Sequence, residues 1–217
     1  WDEGNKLTDA LFSHFAHDYQ EVRKAVCETL VEWEWTWLRP SLKSVPELLA
    51  HSRSAHGSLL AHSDVMRQRC EALQKQLRSW RAQRQPLAYG TSKYDVIAST
   101  GALWVCLCLD DHRLGPMSTY VLSLVPDLFE AFQLRDNEEL SETAHDVLVQ
   151  VASHPFSVAQ VPVLLEALLH ILRRSESWHS RLDALPLLQI VYFQNLYLLS
   201  HDMKRCILDV LCSLLHL

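Results

Sequence analysis

Glycine is scarce in this sequence, with five in 217 residues, at Gly4, Gly57, Gly90, Gly101 and Gly115. No two stand close enough to build a phosphate-cradling loop of P-loop or dinucleotide-binding spacing. The Gly-x-Ser-x-Gly turn that carries a hydrolase nucleophile is missing too. Long apolar runs are also lacking. Leu103 to Leu109 and Ile190 to Phe193 fall far below the ~18 residues of a membrane span, so no membrane partner is expected. The six cysteines, Cys27, Cys70, Cys106, Cys108, Cys206 and Cys212, form no Cys-x-x-Cys and no zinc-type pairing with histidine. They read as buried, reduced thiols of a cytosolic or nuclear protein, with no disulfide framework and no metal.

What the sequence has is apolar content, at 48 %, arranged with helical spacing almost throughout. Leu7, Leu11, Phe12 and Phe15 make one stripe. Val22, Ala25, Val26, Thr29, Leu30, Trp33 and Trp37 make a second. Asp18 with Glu21 three residues later suits the start of the second helix, which makes the pair a hairpin. Trp33-Glu34-Trp35-Thr36-Trp37 alternates like a strand, but the flanking helical pattern outweighs it, and packing explains the three tryptophans more simply than a binding cage.

One pattern recurs. Val45-Pro46-Glu47-Leu48-Leu49, Val125-Pro126-Asp127-Leu128-Phe129 and Val161-Pro162-Val163-Leu164-Leu165 are three copies of a helix start with proline in the first turn. The second and third stand 36 residues apart and stay matched through Glu130-Ala131 and Glu166-Ala167. Two-helix units at such a period predict an all-α, HEAT/armadillo-like helical-hairpin solenoid. Asp18, Val22 and Arg23 fit a HEAT unit as well. The expected hairpins run over 5–38, 42–112, 118–153 and 158–199, with a final helix over 202–216. The long second block holds a polar stretch from His51 to Ser63, a basic helix from about Asp64 to Gln83, a turn at 85–90, and a central helix from about Lys93 to Leu109. The chain starts at Trp1 without a leader, and residues 207–217 form an apolar helix without a polar cap. It is therefore expected to be a region of a longer protein in which another helix follows.

Charge is uneven. Residues 52–93 carry eight basic and two acidic residues, while the chain as a whole carries a net charge of −6. The helix bearing Arg67, Lys75, Arg78 and Arg81 suggests a polyanion site, with inositol phosphate as one ligand, or else a solvated face neutralised by acidic neighbours. With only Trp80 interleaved, direct nucleic-acid binding is not expected. No nucleophile, base and orienting carboxylate stand at interpretable spacing, so no catalytic residue is assigned and the chain is read as no enzyme. His14, His17, His51, His56 and His62 read as surface or capping residues.

Ser177-Trp178-His179-Ser180-Arg181, followed by Leu188-Gln189-Ile190-Val191-Tyr192-Phe193-Gln194-Asn195-Leu196-Tyr197, resembles the C-terminal part of the proteasome activator complex subunit 4 family. The steps from Trp178 to Gln189 and on to Asn195 agree with that pattern, which covers about 20 residues closely. Pro186, Gln194 and Tyr197 depart from it. The resemblance implies a region of a large HEAT-repeat activator that caps the 20S core proteasome without ATP and opens its gate. It implies a protein of the nucleus and cytoplasm, active in DNA repair and in histone turnover in spermatogenesis, with the family's C-terminal docking tail lying outside this chain. It also implies a bromodomain-like function toward acetylated histones, with Asn195 as the key residue. An acetyl-lysine carbonyl would accept from the Asn195 amide while Tyr192, Phe193 or Tyr197 packs the methyl and stem. The other reading of Asn195 is a buried amide that ties a helix end to backbone. A generic HEAT scaffold, of the nuclear transport or phosphatase and kinase scaffold kind, is the alternative for the whole chain.

Overall fold

A computed structural model describes residues 2–42, 45–84, 92–111, 115–175 and 177–214. These are all-helical, with no strand among them. The helices are α1 (Asp2–Ser13), α2 (Gln20–Leu42), α3 (Val45–Ala82), α4 (Lys93–Asp110), α5 (Val125–Phe132), α6 (Glu138–Ser153), α7 (Gln160–Arg174), α8 (Trp178–Gln194) and α9 (His201–Leu214), with a 3₁₀ segment at Gly115–Leu124.

The recurrent Val-Pro pattern marks a helix start each time, at the beginnings of α3, α5 and α7. Proline lacks the N–H that an interior helix position would need and fits the first turn, where that N–H has no partner in any case. This is why the 3₁₀ segment gives way to α5 at Val125. The 36-residue match extends to burial: Val125 and Val161, Leu128 and Leu164, Phe129 and Leu165, and Ala131 and Ala167 are all buried. Side chains 37–63 and the 85–91 segment lie outside the described residues, and with them Trp37, the first Val-Pro copy's side chains, the distal histidines and the turn at 85–90. The backbone is helical across 51–63, so the polar stretch there is part of one 38-residue helix, α3.

The helices pack in two rows. One row runs α2, α4, α6, α8, each against the next, and the other runs α3, the 3₁₀ segment with α5, α7 and α9. Helix α4 touches α2, α3, the 3₁₀ segment, α5 and α6, which agrees with its apolar surface all round. Ser92 starts it with a reciprocal cap: its Oγ accepts from the Asp95 N–H at 3.1 Å, and the Asp95 carboxylate accepts from the Ser92 N–H at 3.3 Å. At the first hairpin the expected Asp18 cap is not what closes the turn. Arg23 does so, donating to the carbonyls of His17 at 2.7 Å and Asp18 at 3.1 Å.

At the centre of the core, Trp104 is fully buried, with its ring 5.2 Å from Phe12, 5.7 Å from Phe15 and 5.9 Å from Tyr120. A carboxyl is sealed beside it. The Tyr120 hydroxyl donates to Glu34 Oε1, while Glu34 Oε2 has no hydrogen-bond partner among the described residues, and burial pushes Glu34 well above the ordinary carboxylate range. The same core holds three thiols. Burial pushes Cys27 up to about 12 and Cys70 and Cys108 well above the usual thiol value.

Candidate functional site

Two places carry the residues that the sequence singles out. The first is α8. Ser177 caps its start, its Oγ accepting from the Ser180 N–H at 3.3 Å. Arg181 turns back to donate to the Ser175 carbonyl at 2.8 Å and so ties the helix to the preceding link. At the other end Asn195 is the C-cap and is buried. Its Nδ2 donates to the Val191 carbonyl at 2.9 Å, and its own backbone N–H donates to the same oxygen at 3.2 Å. The side-chain amide thus adds a second donor to the last carbonyl that the helix backbone itself satisfies. The stretch from Ser177 to Asn195 is therefore one helix with its two caps.

Around Asn195 the aromatic residues diverge. Tyr192 is half-buried and meets Phe193 edge to face at 5.3 Å, whereas Phe193 and Tyr197 are 66 % and 84 % exposed. Trp178 is exposed as well, its ring 3.8 Å from His179. The four residues assigned to acetyl-lysine lie at one end of α8, but two of the three rings face solvent rather than closing over the amide.

The second place is a cleft of about 560 Å³ between α3, α5 and α7, with Arg78 and Arg81 on one wall and His170 and Arg174 on another. Its floor is apolar, from Leu77, Pro126 and Ile171. Arg81 is paired with Glu130 of α5. Asp127 reaches in from the same helix, accepting from Gln74 Nε2 at 3.2 Å. Burial pushes its carboxyl up to about 6, against the pull of Gln74 and Arg78. Burial also lowers His170, helped by Arg78 and Arg174, which favours a neutral imidazole. Tyr94 of α4 borders the cleft while only 2 % exposed, and burial pushes its phenol up to about 12.

The four basic residues singled out on α3 are not brought together. Arg78 and Arg81 border the cleft and Arg67 and Lys75 do not. Arg67 pairs on its own helix with Asp64 at 3.0 Å and Glu71 at 3.7 Å. Nearby Arg69 is paired with Asp9, and Arg84 is held by Asp95 at 2.8 Å and Asp136 at 2.8 Å. Much of the basic face is thus neutralised by acidic neighbours. Tyr94, Asp127, His170 and Arg174 were not singled out in the sequence. They come from three helices, and no local pattern links them to Arg78.

Among the described residues no group of three or more His, Cys, Asp or Glu side chains is arranged to hold a metal ion, and no helix is long and apolar enough to cross a membrane. Compared with known proteins, the chain matches no protein-family model, no curated protein and no solved structure.

Proposed function

We propose that this chain is a non-catalytic, HEAT-type solenoid region of an ATP-independent activator that caps the 20S core proteasome and opens its gate, working in the nucleus and cytoplasm. The observation that carries this reading is the Ser177-to-Asn195 motif, whose two ends are the two caps of a single helix. The spacing that resembles the family pattern at Trp178 and Asn195 thus falls within one helix. The two-row packing of helices, with burial repeating over 36 residues between α5 and α7, supports the solenoid part. Such a region acts by presenting surface, and the enzyme it regulates is another protein.

The test is proximity labelling with a biotin ligase fused to the chain inside nuclei and cytoplasm. Core-proteasome subunits should be labelled several-fold above a free-ligase control, and equal labelling overturns the reading. Acetylated histones are the proposed second partner of this region. With one Asn195 N–H committed to Val191 and with Phe193 and Tyr197 in solvent, recognition here takes the form of an open platform. Titration with acetylated and unmodified histone-tail peptides checks it: equal binding of the two removes the acetyl-lysine assignment.

The cleft favours one further reading, a phosphate-bearing small ligand such as an inositol phosphate. Arg78 and Arg174 both line the cleft and make no ion pair among the described residues. Arg78→Gln with Arg174→Gln should weaken binding of inositol hexakisphosphate at least tenfold, while Arg67→Gln should leave it unchanged. Equal loss in both would mean diffuse attraction to a basic surface.

A further inference from the structure

Helix α8 is apolar on two opposite sides. Its inner side, Ala184, Leu187, Leu188 and Val191, is buried against the rest of the molecule. Its outer side carries Trp178, Leu182, Pro186, Ile190 and Phe193 at steps of four, four, four and three, with Tyr197 in the turn that follows. Trp178 is 61 %, Leu182 51 % and Ile190 39 % exposed. A helix that is apolar all round is ordinarily buried all round. Here α9 packs chiefly on α7, and the exposure of the outer stripe shows that the described residues leave it uncovered.

The stripe is symmetric along the helix. Trp178 and Tyr197, Leu182 and Phe193, and Pro186 and Ile190 lie at nearly equal distances on either side of the level of Leu187 and Leu188. Turned end for end, the stripe falls on itself, large ring against ring and Leu182 against Phe193. That is the requirement for a two-fold, isologous contact, in which each residue i meets j and each j meets i. No charged residue lies between Asp183 and His201, so the antiparallel arrangement brings no like charges together at its middle. Weighting ~150–250 Å² per aromatic side chain by exposure, Trp178, Phe193 and Tyr197 alone present roughly 450 Å². That is over half of the ~800 Å² per partner in a standard interface before the aliphatic residues are added.

We infer that the outer face of α8 is a self-association surface, which pairs antiparallel with α8 of a second copy of this chain. The inference rests on the surface of α8 alone and is independent of the proteasome reading, but it competes with the acetyl-lysine platform for Phe193 and Tyr197.

Sedimentation equilibrium of the full chain over the micromolar range should show a species of twice 25.0 kDa. Phe193→Glu should restore the monomer with helical circular dichroism unchanged. Register is tested with Leu182→Cys and Phe193→Cys made separately, in chains whose Cys106, Cys206 and Cys212 are replaced by serine. Mixed under mild oxidant, the two variants should form a disulfide heterodimer. Neither alone should cross-link, because antiparallel pairing puts residue 182 roughly 16 Å along the axis from its own copy, at ~1.5 Å per residue. A monomer at every concentration, whether the face stays bare or takes a helix of another protein, overturns the inference. So does cross-linking of either variant with itself.

Discussion

The C-terminal end of α8 and the cleft between α3, α5 and α7 differ in how they are built. At the end of α8 the singled-out residues are neighbours in sequence, and the one buried amide among them is spent on the helix's own backbone. In the cleft the lining residues are up to a hundred positions apart, and two arginines stand without an ion pair among the described residues. A local pattern of residues records first what the local backbone needs, a cap or a turn. Open space with uncommitted donors arises where several helices meet, and no single stretch of chain records it.

The largest effect that can test this contrast is on the inner side of α8. Leu188→Ala should cost about 2–5 kcal/mol, the usual loss for a buried leucine, read from the denaturant midpoint. Phe193→Ala, on the exposed side, should change that midpoint by less than about 0.5 kcal/mol at concentrations that keep the chain monomeric. Equal losses would mean that the outer face is packed in the folded chain, which would undo the description of α8.

Next is the cleft's response to pH. The Asp127 carboxyl is raised from 3.8 to about 6, so the folded form holds the proton more tightly than the unfolded form. Its stabilising contribution is then complete below about pH 4 and is lost as pH rises through about 6. At ~1.4 kcal/mol per pKa unit this amounts to at most about 3 kcal/mol. Asp127→Asn should flatten that part of the stability profile and raise stability at pH 8. A profile that keeps its slope between pH 4 and 7 in the variant would assign the titration to another group.

The smallest effect is at the cap. Asn195→Ala should cost about 1–2 kcal/mol by leaving the Val191 carbonyl with one donor fewer in a buried setting. Asn195→Asp should not restore it, because a carboxylate offers no N–H to a carbonyl. If Asn195→Ala is neutral for stability but removes acetyl-peptide binding, the amide belongs to a ligand and the contrast between the two regions collapses.

Much of the helical layout was legible because helix starts and apolar periodicity are local. The Val-Pro repeats, the central position of α4 and the hairpin of α1 and α2 all follow from residues within one or two turns of each other. The run of helix through 51–63 was not legible, since its polar composition lacks the apolar period that marks a packed helix. The burial of Glu34 was hidden for a related reason. It stands between two tryptophans in α2, and Tyr120, Cys70 and Cys108, which lie far along the chain, come to its side only in the folded molecule. The cleft was half legible: Arg78 and Arg81 stood out as part of a basic helix. What distinguishes them from Arg67 and Lys75 is α7, which supplies His170 and Arg174 from nearly a hundred residues away.

The three sealed thiols give the molecule an internal clock. Thiolate is the form that reacts with an alkylating reagent, and burial holds Cys27, Cys70 and Cys108 in the thiol form, while Cys212 stands at the surface. Modification of those three at neutral pH can proceed only as fast as the packing of α2, α3 and α4 parts. Mass spectrometry of a timed alkylation would therefore count Cys212 as reporting the reagent and the other three as reporting the opening of the core.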